Sequence, residues 1–88
     1  MNKPTIGDIK GLQEIAVLRN NWRQRFVNVY AVPDTDEVIS VGYPMNPLTG
    51  ELLNESPGGN PLLPVVCREK RSDYARAIAL FPKTAIYD

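Results

Sequence analysis

Ten lysines and arginines, ten aspartates and glutamates, four tyrosines and one cysteine are the side chains of this 88-residue sequence best able to bind or react, and histidine is absent. Without imidazole the chain lacks the commonest general base and the commonest transition-metal ligand. No Ser/His/Asp or Cys/His arrangement can be assembled. A structural zinc site would need carboxylates clustered with Cys67, and the sequence does not supply them. Asp34, Asp36 and Glu37 fall together, but they are too few and too tightly spaced for a calcium loop, and they read as turn chemistry. No metal, no cofactor and no catalytic residue is therefore expected.

Cys67 follows Pro64-Val65-Val66, the setting of a small buried hydrophobe. Arg68 beside it would point to the other face of a strand, so it is not placed to activate the thiol. Ser56 to Asn60 includes a Gly-Gly pair but lacks the lysine and hydroxyl residue of a phosphate loop, and it reads as open loop.

Two groups of residues have the types that binding surfaces use. Arg19, Trp22, Arg23 and Arg25 crowd one junction, and Arg68 and Arg71, with Lys70, form a second basic cluster. Arginines interleaved with an aromatic can grip phosphates and stack a base, so the two clusters would make a nucleic-acid or phosphate site if they met in space. The plainer expectation is a tryptophan packed on the core with arginines at its rim. The second group is Leu48, Leu52, Leu53, Leu62 and Leu63, five leucines in a stretch rich in proline and glycine. Something must cover them, either the chain's own sheet or a partner protein, including a second copy. A pocket between the sheet and this stretch, with Tyr30, Tyr43 and Asp36 as polar groups, ranks last, because no nucleophile or base has an orienting partner.

The elements that would position these residues follow from periodicity. Residues 5–20 predict a helix, with Thr5 as cap, Asp8 three residues on, and Ile6, Ile9, Leu12, Ile15 and Ala16 near helical spacing. Gly7 and Gly11 weaken it by about 1 kcal/mol each, so the start falls nearer Ile9. Residues 23–32 alternate and are rich in β-branched and aromatic side chains, the turn 33–36 follows, and residues 37–43 return, predicting a hairpin. Residues 44–64 hold five of the eight prolines and predict a long loop with a tight turn at 46–50. A third strand at 62–69, a short helix at 73–81 opened by Ser72 and Asp73 and ended by Pro82, and an edge strand at 84–87 complete the reading. The expected fold is a single α+β domain over residues 1–88. It has a small antiparallel sheet of three to four strands, an N-terminal helix and a short C-terminal helix packed on it.

Composition sets the remaining bounds. A chain of this size buries only about 60–65% of the surface it exposes when unfolded, so its own core is thin and association is a natural remedy. One cysteine excludes an intrachain disulfide, which favours the cytoplasm over a secreted setting. No apolar run approaches 18 residues, and the first residues read as mature protein rather than a leader. Net charge is zero but uneven: residues 1–25 carry +3, residues 26–67 carry −5 from Asp34, Asp36, Glu37, Glu51 and Glu55, and residues 68–88 carry +2. Such a layout suits complementary contacts within one chain or between copies. The function expected is a small non-enzymatic protein-binding module that self-associates, with nucleic-acid or phosphate binding as the alternative.

Overall fold

Strand alternation organises most of the chain. The structure is a computed structural model describing residues 3–55 and 58–88. Five strands form one sheet: β1 (Gln13–Asn20), β2 (Arg25–Ala31), β3 (Glu37–Pro44), β4 (Val65–Lys70) and β5 (Ala85–Tyr87). Their order is β4-β3-β2-β1-β5. The first four run antiparallel in chain order, whereas β5 lies parallel to β1. Short 3-10 turns occupy Ile6–Ile9 and Arg71–Tyr74, and the second leads into the helix α1 (Ala75–Leu80). The edge change from β4 to β5 is thus made by a helical crossing over one face of the sheet.

This architecture corrects the expected fold class. The protein is mainly β, its sheet is mixed with five strands, and no N-terminal helix forms. Residues 5–20 divide at Gly11, whose φ of +81° is a left-handed conformation that ends the 3-10 turn. From Gln13 onward the segment alternates, with Ala16 and Leu18 buried, Val17 half-buried between them and Arg19 half-buried after them. The apolar residues at three- and four-residue spacing satisfied the helical pattern only by including Ile6, Ile9 and Leu12, which lie outside the strand. Pairing with β2 decides the matter, since strand preference reflects packing on a neighbour more than local propensity.

The pleat sorts side chains onto two faces. On the inner face, Ala16, Leu18, Val29, Val38 and Ala85 form a core with Ala77 of α1, and Val27, Tyr74, Ile78 and Tyr87 pack against it. On the outward parity of β3, Ile39 and Val41 are fully buried, as is Met45 just past the strand. Strand β3, interior to the sheet, is therefore buried on both sides, which is why its alternation is weak in sequence.

Residues 44–64, expected as irregular loop, fold back twice. Met45 bridges Leu52, and Glu55 bridges Pro61. The first fold is closed by Gly50, whose N–H donates to the Asn46 carbonyl at 2.7 Å, while the Leu48 N–H donates to Asn46 Oδ1 at 2.9 Å. Ser56 and Pro57, part of the expected open loop, lie outside the described residues.

Two stability outcomes follow. Gly50 has φ +79°, and a Cβ there would stand 2.8 Å from Arg19 Nη1. Gly50→Ala should cost about 1–2 kcal/mol in urea denaturation, from strain and displacement of Arg19. Asn28 Oδ1 is buried with no hydrogen-bond partner. Asn28→Val should raise the urea midpoint, by about 1 kcal/mol in stability.

Candidate functional site

The inner face is only half roofed. Beside α1 a groove of about 520 Å³ remains open. Register places its parts in layers. Val38 of β3 faces Glu69 of β4, Ser40 faces Cys67, and Gly42 faces Val65 on one side and Val27 on the other. Arg25 is paired with Pro44, at the open end.

At the roofed end three polar side chains meet. Ser40 Oγ donates to Glu69 Oε1 at 2.5 Å, and the Tyr74 hydroxyl donates to the same oxygen. Burial, followed by the hydrogen bond to Glu69, pushes the Tyr74 phenol well above its ordinary value of 10.0. Asp73 Oδ2 accepts the Lys70 N–H at 3.2 Å and so closes the start of the second 3-10 turn. Ser40 is nearly inaccessible, and its carboxylate partner already accepts two hydroxyl donors, so this cluster is built as a structural bridge.

This trio was not singled out from sequence. Its members are 29 and 5 residues apart. One signal was present. Ser40 is the only hydroxyl in the apolar run Val38 to Val41, on an inward position, and a buried polar group demands a partner. Cys67 lines the groove and is half-buried rather than a core residue. Arg68 points to the other face, where its Nη1 lies 3.3 Å from Glu37 Oε1.

The basic clusters do not converge. Arg68 and Arg71 lie at the end of the sheet where the β2–β3 turn sits, and the Arg71 N–H donates to the Asp36 carbonyl at 2.7 Å. Arg23 and Arg25 lie at the opposite end and line the groove. Arg19 belongs to neither group: its Nε donates to Asn21 Oδ1 at 2.6 Å and its Nη2 to the Pro47 carbonyl at 2.7 Å, which fastens the 46–50 turn to β1.

Trp22 is not packed on the core. It stands 78% exposed at the tip of the β1–β2 turn. Hairpin geometry explains this. Asn20 Oδ1 accepts the Arg23 N–H, and Gln24 adopts φ +57°, so the tight turn leaves no inward position for the indole. The leucines behave alike. Leu48 is 91% and Leu63 74% exposed, Leu52 and Leu53 are exposed, and Leu62 is half-buried. The Met45 N–H donates to the Gln24 carbonyl and the Leu53 N–H to the Pro44 carbonyl, so this segment starts beside the Trp22 turn.

Tyr30 and Tyr43 share the outer face, away from the groove. Burial, then the neighbouring Tyr30 and Glu14, raise the Tyr43 phenol above its ordinary value. Asp36 sits at the far turn. Among the described residues no three acidic or thiol side chains converge as a metal site would require, and no helix is long and apolar enough to cross a membrane.

Fold and site together define a small mainly-β chain whose helical crossing roofs half of one sheet face. No protein-family model, curated protein or solved structure matches this chain.

The Tyr74–Glu69 bond gives a pH-dependent outcome. A phenol whose folded value is raised contributes stability fully below its unfolded value near 10, and that contribution fades as pH rises above it. Wild type should therefore lose stability steadily between about pH 10 and 11.5. Tyr74→Phe should start lower by about 1–3 kcal/mol, with a visibly flatter alkaline slope. Chemical denaturation across that range reads both.

Proposed function

We propose that this protein is a non-enzymatic protein-binding module, and that its contact surface is the sheet end bearing Trp22 together with the apolar segment after β3. One observation carries the reading: Trp22, Leu48, Leu52, Leu53 and Leu63 are all exposed, and the segment begins hydrogen-bonded to the Trp22 turn. Scattered exposed leucines are ordinary, but exposed leucines on a segment that starts beside an exposed tryptophan have the composition of a contact surface. Tryptophan and arginine are also the residues that most often dominate binding energy, and Arg23 adjoins Trp22. The left-handed conformation of Gln24 adds support, because local strain at a turn that presents a bulky side chain is retained where the presentation matters.

The partner is a second copy of the chain. A core as thin as this one gains from further apolar burial, and each large apolar side chain covered is worth about 1.5–3 kcal/mol. The nucleic-acid reading contracts to Trp22, Arg23 and Arg25, since Arg68 and Arg71 lie at the other end of the sheet.

Sedimentation velocity tests the reading directly. Wild type should show a concentration-dependent shift toward dimer. Trp22→Ala with Leu48→Asp should remain monomeric with stability changed by no more than about 0.5 kcal/mol. A strict monomer at high concentration removes self-association, and co-purification then asks for a different protein partner. Retention of an oligonucleotide at low salt in a mobility shift, lost in Arg23→Ala, would instead favour the nucleic-acid reading.

A further inference from the structure

The groove's charged groups differ in what they already hold. Glu69 accepts from Ser40 and Tyr74, and Asp73 accepts from the Lys70 backbone. The arginines are not so engaged. Among the described residues the only ion pair is Arg68–Glu37, so neither Arg23 nor Arg25 meets a carboxylate. The one side-chain hydrogen bond of Arg25 runs from Nη1 to the Gln24 carbonyl at 3.0 Å. Most of its five N–H donors are thus left for something else.

The surroundings of Arg25 are apolar. Its stem lies over Gly42, where an added Cβ would meet Arg25 Cδ at 3.7 Å and Val27 Cγ2 at 3.8 Å. Val27, Val65 and Cys67 line the same stretch of groove. A guanidinium fork on an apolar floor matches a planar anion carried on an apolar body. A volume of about 520 Å³ is in the range of small-molecule sites.

We propose that the open half of the groove binds a small apolar carboxylate, its acid group held by Arg25 and Arg23 and its body resting on Val27 and Val65. This site shares Arg23 with the margin of the Trp22–leucine surface but lies in the groove, and it does not rest on the self-association reading. A carboxylate fits better than a larger polyanion, because the acidic groups at the roofed end leave cationic character only at the open end.

Amide-resolved NMR titration with 3-phenylpropionate tests this, using 3-phenylpropanamide as the uncharged counterpart. Saturable shifts should centre on Val27, Gly42, Val65 and Cys67, and the amide should bind about tenfold more weakly or worse. Arg25→Met keeps the stem and removes the charge, and it should weaken the carboxylate by a similar factor. Gly42→Val fills the floor and should abolish binding while the spectrum stays dispersed. Trp22→Ala should leave the titration unchanged, which separates this site from the protein-contact surface. Three results would each overturn the proposal: no saturation by about 10 mM, equal binding of acid and amide, or shifts that map to Leu48, Leu52 and Leu63 instead.

Discussion

One carboxylate oxygen, Glu69 Oε1, takes hydroxyl donors from Ser40 on β3 and from Tyr74 at the end of the second 3-10 turn. Those two bonds fix where the chain leaves the edge strand and begins to cross the sheet. From there α1 reaches β1, seats Ala77 in the inner core and delivers β5 to the far edge. The geometry also limits what the helix can cover. Six helical residues span about 9 Å, whereas a five-stranded sheet is about 19 Å wide. The crossing is anchored at the Glu69 end, and the groove is the part of the inner face left open toward Arg25.

The opposite face has no helix to cover it. It relies on the segment after β3, which turns back at residues 46–50 and is fastened by Arg19 to the Pro47 carbonyl. That anchor explains both an arginine on an inner strand and a glycine at position 50, since the guanidinium occupies the space a side chain would take. A folded-back loop covers less area than a helix. Met45 is buried beneath it, but the leucines at its turns face outward. Sparse cover on both faces therefore accounts for the two candidate surfaces of the molecule.

How much of this was legible depends on whether a partner strand was needed to decide. The β2–β3 hairpin was readable because Phe26 to Ala31 alternates, Glu37 to Tyr43 is rich in β-branched residues, and a turn with Pro33 and Asp34 lies between them. The Pro82 stop and the short helix before it were likewise local. β1 was not, because Ile15, Ala16 and Leu18 fit two periods and only pairing with β2 selects one. The parallel β5 depends on a crossing that sequence cannot orient. At the sites, residue types were visible but faces were not: Arg19 proved a structural anchor, Arg25 a groove residue, and Trp22 an exposed tip. The Ser40–Glu69–Tyr74 bridge joins three segments and left only Ser40's apolar neighbours as a trace.

The uneven charge of the chain is matched by contact at one point among the described residues. Asp34, Asp36 and Glu37 of the acidic middle stand at the β2–β3 turn, and Lys70 pairs in register with Glu37 while Arg68 bonds its carboxylate. The Arg71 N–H meets the Asp36 carbonyl there as well. One ion pair, Arg68–Glu37, thus links the acidic middle to the basic C-terminal part at this end of the sheet. The Arg68–Glu37 pair is exposed and contributes at most about 1 kcal/mol, so its effect is less on stability than on neutralising that end. Arg23 and Arg25 face the open end of the groove without an ion pair among the described residues, while Glu69 and Asp73 line its other end. The apolar tip at Trp22 sits beside them. The groove is thus cationic at its open end, acidic at its roofed end and apolar at its rim, the charge layout on which the carboxylate proposal rests.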